Sequence, residues 1–228
     1  MARRYFTPAT FAFLEALAAN NRREWFDAHK QEYEDAVRTP ALNYIEDMAA
    51  DLPRVSPHFL ALPRKVGGSL MRVHRDIRFG RDKRPFKTNV GIQFRHEAGK
   101  DVHAPGYYLH LEPNECFVGV GLWRPDAAAL GKIRDAIAEG SEAWLQARDD
   151  KTFRRNFALE GDALANPPRG YAKEHPFLQD LKRKDHIAIA RLRDSDVTGA
   201  KFYAKVSGLF ADATPYMRYL CKSLDLRF

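Results

Sequence analysis

Cysteine is nearly absent from this 228-residue sequence: Cys116 and Cys221 are the only two. They are too few and too far apart for a disulfide framework or a zinc knuckle. Both read as reduced, buried thiols, which points to a reducing compartment. Long apolar runs are missing too; none approaches the ~20 residues that a membrane-spanning helix needs. No repeat, low-complexity tract or long linker divides the chain. None of the histidines sits in a tight ligand motif, so no metal centre is expected. A Gly-x-Ser-x-Gly nucleophile elbow is absent, and Gly119-Val120-Gly121 lacks the third glycine of a dinucleotide fingerprint.

What remains has the balance of an ordinary globular protein, 45% hydrophobic and 29% charged, with length enough for one sizeable core. Arg3 and Arg4 ahead of Phe11 to Ala19 have the outline of a secretory signal. Glu15 interrupts that run, however, and Phe11, Leu14, Leu17 and Ala18 follow helical spacing. Thr7-Pro8 supplies an N-cap and a proline at the first helical position. A first helix of the fold is expected, in a cytoplasmic protein.

The order of patterns is helices, strands, helices, as in an α+β fold. The expectation is one domain over 1–228, with a mostly antiparallel sheet of about five strands between N-terminal and C-terminal helices. Residues 1–52 read as three helices: Pro8 to Ala19, Arg22 to Arg38, and one from Pro40 that ends before Pro53. Within 64–123 the period changes to two, with short strands at 69–75, 89–96, 106–112 and 116–123. Pro113-Asn114 marks a tight turn that makes the last two a hairpin. From 124 to 228 helices return. One is opened by Pro125-Asp126 and closed by Gly140, a second is capped by Ser141, and a third lies near His175 to Lys184. A strand follows at His186 to Leu192, then a helical tail from about Asp196, broken at Thr214-Pro215.

Charge is the most informative feature. Residues 64–87 hold nine Lys or Arg and two acids, a net of +7, equal to that of the whole chain. The other 204 residues therefore balance to zero. Such a concentrated cluster makes a usable field, where the same charge spread evenly would only aid solubility. Six of the nine are arginine, whose planar fork grips phosphate or carboxylate with two parallel bonds. Phe79 and Phe86 are interleaved with them. If every net charge met a nucleic-acid backbone, the log–log salt slope would approach roughly −6. The bland alternative is a self-paired network, in which Asp76 and Asp82 consume neighbouring cations.

The string from Met71 to Thr88 carries a specific resemblance. Arg72-x-x-Arg75-Asp76-x-Arg78-Phe79, two residues, then Asp82-Lys83-x-Pro85-Phe86-Lys87-Thr88 resembles the signature of the family catalogued as domain of unknown function 2461. Asn20 to Phe26, Gly106 to Pro113, Gly119 to Pro125, and Pro168 to Tyr171 with His175-Pro176 resemble its other motifs, so the similarity spans nearly the whole chain. The resemblance implies a shared motif set and a one-domain layout. It implies no activity, cofactor or catalytic residue.

Outside the basic segment, alternation puts Tyr108, His110 and Glu112 on one face of their strand. Arg72 and His74 share a face of another, and Phe117, Gly119, Gly121 and Trp123 a face of the hairpin partner. If these faces stack, the glycines leave a shallow floor within a polar concavity; the plainer reading is that they admit a close backbone or a bulge. Asn21 reads as the cap of the second helix, with Glu24 completing the capping box and Trp25 entering the core.

The leading expectation is a site for a phosphate-bearing or polyanionic ligand, built from Arg72, Arg75, Arg78, Lys83, Lys87 and Tyr108. In an enzyme acting on a small phosphorylated or nucleotide-like molecule, His110, Glu112 or Asp76 would handle protons. A nucleic-acid-associated module without chemistry and a protein-interaction domain stay open beside it. The compactness of the cluster leans toward a small site.

Overall fold

The computed structural model describes residues 3–78, 81–99 and 104–228. Helix α1 (Pro8–Ala19) begins as the sequence indicates: Thr7 is its N-cap, Pro8 opens it, and Thr10 takes part in a reciprocal capping box with Thr7. The second expected helix is not continuous. It is split into α2 (Arg23–Ala28) and α3 (Lys30–Tyr33), followed by a π-helical turn at Glu34–Arg38. The break falls at His29, whose ring stacks on Trp25 at 4.1 Å and whose Nδ1 lies 2.8 Å from the Trp25 carbonyl. Helix α4 (Thr39–Val55) runs through Pro53 instead of stopping before it, because a proline in the last turn removes only one helical donor.

One antiparallel sheet of six strands forms the centre, in the order β1-β2-β3-β4-β6-β5. These are β1 (Phe59–Leu60), β2 (Val90–His96), β3 (Gly106–Leu111), β4 (Cys116–Leu122), β5 (Ala158–Glu160) and β6 (His186–Leu192). The β3–β4 hairpin turns at Asn114, which sits at φ 65 in the left-handed region that asparagine tolerates. The short edge strands β1 and β5 have no alternation long enough to be seen in sequence.

The expected strand at 69–75 is corrected. Leu70 makes an isolated bridge to Ile92 on the edge of β2, and His74 makes another to Phe86. Between them the chain leaves the sheet and pairs with itself: Arg75 N–H donates to Pro85 O at 2.8 Å and Lys87 N–H to Val73 O at 2.8 Å. Arg72 and His74 therefore do not share a sheet face with Tyr108. The His74 ring packs instead against Phe86 at 5.1 Å and Phe26 at 6.2 Å.

After the sheet come α5 (Ala127–Glu139), α6 (Ser141–Arg148), α7 (Lys151–Asn156), α8 (Leu178–Leu181), α9 (Asp194–Val197), α10 (Phe202–Asp212) and α11 (Thr214–Ser223). Asp126 caps α5 by accepting from Ala129 N–H at 2.7 Å. Gly140, not Ser141, is the N-cap of α6, and the Ser141 hydroxyl donates back to Ile137 O. The helix expected across His175–Lys184 shrinks to α8, since Pro176 precedes it and Lys184 is drawn into a loop contact with Asp162 O. Pro215 restarts the tail as α11.

The strands' two faces differ. Ile92, Phe94, Tyr107, Leu109, Leu111 and Val118 have no exposure and form the core face. Helices α4, α10 and α11 cover it: Phe210 packs on Phe94 at 5.7 Å and Tyr107 at 4.8 Å, and Tyr44 on Phe94 at 6.4 Å. Both cysteines are free and buried on this side, and burial pushes each thiol up to about 12. The other face carries Gln93, Tyr108, His110, Phe117, Gly119 and Ile189, and it lines a cavity. Among the described residues, no helix is long and apolar enough to cross a membrane.

Candidate functional site

The basic segment folds into a ribbon, residues 73–75 against 85–87, with its tip between. The tip is organised by two copies of one local device. Asp76 Oδ1 accepts from the Arg78 backbone N–H at 3.2 Å, while its carboxylate takes a forked pair from the Arg78 guanidinium at 3.0 and 2.7 Å. Asp82 does the same for Arg84, with the backbone bond at 3.0 Å and a side-chain bond at 2.7 Å, and also receives Arg75 Nη1 at 2.5 Å. Aspartate side chains commonly bind the backbone two residues on; here each also holds the side chain of that residue. The hydrogen bonds from these arginines hold both carboxyls well below the usual carboxylate range. Asp76, expected as a candidate proton handler, is thus fixed in its ionised form. The self-paired alternative of the sequence reading is thus realised in part, through an Asp-x-Arg spacing that is present twice.

Three of the nine cations are therefore partnered by Asp76 and Asp82, and a fourth, Lys83, donates to Ile77 O at 2.9 Å. Phe79 lies outside the described residues. Arg72 and Lys87 are different: neither comes within 4 Å of a carboxylate among the described residues. Lys87 is half-buried, and its pKa is lowered first by burial and then by Arg72 nearby. Beside it lies a hollow of about 350 Å³ lined by Arg75, Asp76, Arg84, Lys87, Thr88 and Asn89.

Asn21 fixes this hollow from a distance. Its Nδ2 donates to Phe86 O at 3.0 Å and its Oδ1 accepts Phe86 N–H at 3.0 Å. It does not cap α2; Arg22 occupies that position without a side-chain bond. Trp25 is only partly buried.

Next to the hollow, the open sheet face carries a polar chain. Thr88 Oγ1 donates to Glu112 Oε1 at 2.6 Å, and Glu112 Oε2 lies 3.3 Å from His110 Nε2. His110 Nδ1 lies 2.9 Å from the Tyr108 hydroxyl and 3.4 Å from Asn89 Nδ2. A carboxylate can only accept, so it fixes the Nε2–H tautomer and leaves Nδ1 to accept from Tyr108. The His110 ring stacks on Phe117 at 4.7 Å, nearly parallel at 9°. Burial, with Glu112 adding, raises Tyr108 to about 12.

This face opens into a cavity of about 660 Å³, within the range of small-molecule pockets. Its lining includes Met71, Phe117, Trp123, Ile187 and Ile189, with Arg95 and Arg191 also on it. Strand register explains the grouping: Gly91 faces His110, His110 faces Phe117, and Phe117 faces Arg191 across successive strands. Sequence reasoning did not bring in Ile187, Ile189 or Arg191, although their alternation in 186–192 was visible. The two glycines of β4 divide between the two readings. Gly121 has φ +111 and a Cβ there would lie 2.1 Å from His186 O, so close backbone approach requires it; a Cβ at Gly119 would meet Ile189 Cδ1 at 3.4 Å and Phe117 and Tyr108 atoms at 3.7 Å, all ordinary contacts.

Tyr108 thus lies on the sheet-face cavity, while Arg72 and Lys87 stand at the ribbon. Asn89 joins the two places, since it lines the hollow and contacts His110.

A family model described as "Conserved hypothetical protein (DUF2461)" matches residues 9–219. The chain belongs to this family. The DUF2461 match includes the whole basic ribbon, the central hairpin and Asn21. No curated protein and no solved structure matches the chain.

Proposed function

We propose that this DUF2461 protein binds a small phosphate-bearing ligand, with the anion held by Lys87 in the hollow beside the ribbon and assisted by the charge of Arg72 nearby. The observation that carries this reading is the state of Lys87. A half-buried ammonium with a second cation nearby and, among the described residues, no carboxylate within 4 Å is costly, although Asp76 lines the same hollow. An anion arriving from solution would remove that cost, and Thr88 and Asn89 offer further polar groups around the same hollow. His110 and Glu112 stand one contact away, where an enzyme on such a ligand would need proton-handling groups.

The forks of Arg75, Arg78 and Arg84 are held by Asp76 and Asp82, which leaves Lys87 and Arg72 as the cations considered at the hollow; two phosphate contacts made by them alone would give a salt slope of roughly −2.

The test is thermal stability with inorganic phosphate or pyrophosphate, on the native protein and on Lys87→Met and Arg72→Gln. Ligand at about 100 times Kd should add ~2.7 kcal/mol to the native protein, roughly 5–10 °C in Tm. Lys87→Met should raise the Tm of the ligand-free protein and abolish the response. An unchanged phosphate response in both variants would overturn the assignment. Tight oligonucleotide binding with a steep salt dependence would favour the nucleic-acid module instead.

A further inference from the structure

The chain has nine tyrosines, and the acceptors of their hydroxyls single out one. Tyr5, Tyr171 and Tyr203 each donate to an aspartate, at 2.5, 2.7 and 2.7 Å. Tyr44, Tyr107, Tyr216 and Tyr219 are buried, with no hydrogen-bond partner for the hydroxyl among the described residues. Tyr33 lies under the Arg38 guanidinium, 5.0 Å from its ring centroid. Tyr108 alone donates to an imidazole, His110 Nδ1 at 2.9 Å. The difference is chemical. As reference groups, a carboxylate is a weaker base than imidazole by more than two units and less able to take a phenol proton. Glu112 behind His110 would stabilise the imidazolium that results. Donor, base and orienting carboxylate in series let the hydroxyl relay a proton without becoming a free phenolate, which burial and Glu112 oppose.

The surroundings show what such a hydroxyl would act on. Tyr108 lines the 660 Å³ cavity together with Phe117, Trp123, Ile187 and Ile189. Trp123 is 63% exposed, unusual for so large an apolar ring, and Arg124 lies over it at 4.6 Å. Aromatic and branched walls on a sheet floor at Gly119, which bears no side chain, suit a flat ring system. The volume suits a molecule about the size of a nucleoside. Gly91 matters here as well: a Cβ on it would lie 2.9 Å from both the Tyr108 hydroxyl and Met71 Sδ.

We propose that Tyr108, backed by His110 and Glu112, is a catalytic proton-transfer group for a flat, ring-bearing substrate bound in the sheet-face cavity. The substrate passes a proton to the Tyr108 oxygen as the tyrosine's own proton moves to His110 Nδ1. The products of that step are a substrate anion and an imidazolium facing Glu112, and the reverse transfer returns the proton to product. Nothing is oxidised or reduced, and no co-reactant is needed. Tyr108 is the catalytic residue that meets the substrate, His110 is the base behind it, and Glu112 is a positioning residue. The inference does not use Lys87 or Arg72 and stands apart from the anion site.

The experiment is covalent labelling with an aryl sulfonyl fluoride, read by intact mass and peptide mapping. In this reaction the Tyr108 O–S bond forms, the S–F bond breaks, fluoride leaves, and the phenolic proton passes to His110. Tyr108 should label at least tenfold faster than Tyr171 or Tyr203 in the native protein. His110→Asn should slow that labelling tenfold or more, and Glu112→Gln, which keeps the shape of the side chain, severalfold. Saturating inorganic phosphate should leave the labelling rate of the native protein unchanged, which separates this claim from the phosphate site. Preferential labelling of another tyrosine in the native protein would overturn the proposal whether or not the variants fold. So would a Tyr108 rate indifferent to both His110→Asn and Glu112→Gln in folded protein.

Discussion

Asn21 and Phe86, 65 residues apart, are joined by two hydrogen bonds of 3.0 Å between the Asn21 amide and the Phe86 backbone. The side chain plays the part of a neighbouring strand for a single residue. Phe86 is held from both sides: its ring stacks on Phe26 at 4.2 Å, and the residue after it is Lys87. The clamp therefore sets where Lys87 enters the hollow. Asn21→Ala leaves a buried-side donor and acceptor unpaired and should cost about 2 kcal/mol. Asn21→Ala should also weaken any phosphate-induced stabilisation, both effects being read from thermal unfolding with and without phosphate.

Asp82 is the hinge of charge in the ribbon tip, since it accepts from both Arg75 and Arg84. Asp82→Asn removes that negative charge and releases two guanidinium groups toward solvent. Retention on heparin should rise, with elution at clearly higher salt than the native protein. Unchanged elution would mean that the arginines find other internal partners.

The glycines of β4 should separate sharply on substitution. Gly121→Ala places a side chain against the His186 carbonyl in a left-handed conformation, so it should destabilise by several kcal/mol or prevent folding. Gly119→Ala meets Ile189, Phe117 and Tyr108 at ordinary contact distances and should cost within about 1 kcal/mol. It should nevertheless crowd the cavity floor and slow labelling of Tyr108 by a bulky probe. Urea unfolding of the two variants, side by side, measures the first contrast.

His186 has no exposure, and burial, with Arg183 and Arg134 nearby and Asp185 opposing, lowers its pKa from 6.5 to about 3. The unfolded chain binds a proton at this residue below ~6.5, while the folded chain refuses it until near 3. The fold's stability is thus fully expressed above the unfolded value and declines as pH falls from 6.5 toward 3. The loss should amount to a few kcal/mol. The edge of Trp144 faces the same ring, so His186→Phe keeps an aromatic contact. In that variant the dependence of unfolding free energy on pH between 7 and 4 should flatten.

Much of this architecture was legible because it depends on local pattern. The alternation in 89–96, 106–112, 116–123 and 186–192 became β2, β3, β4 and β6, since a half-buried strand must sort its side chains by face. Asn114 marked the hairpin and Asp126 the start of α5 by their own side-chain chemistry. The family motif was legible too, and so was the shared face of Tyr108, His110 and Glu112. The misplaced strand at 69–75 alternates equally well, but its partner was decided by tertiary competition between the edge of β2 and residues 85–87. Asn21 satisfied every rule for a helix cap and was drawn instead to a backbone 65 residues away. The split of the arginines into paired and unpaired sets follows from the Asp-x-Arg spacing of Arg78 and Arg84 and from Arg75 reaching Asp82 across the ribbon, which charge counting alone cannot give.

The state of Lys87 can be measured directly by NMR of its side-chain ε resonances across pH. In ligand-free protein Lys87 should titrate below the exposed lysines, because burial and Arg72 both oppose its charge. Added phosphate should shift its resonances saturably and move its titration upward, and Arg72→Gln should weaken that response. A Lys87 titration identical to that of exposed lysines, or one indifferent to millimolar phosphate, would contradict the account.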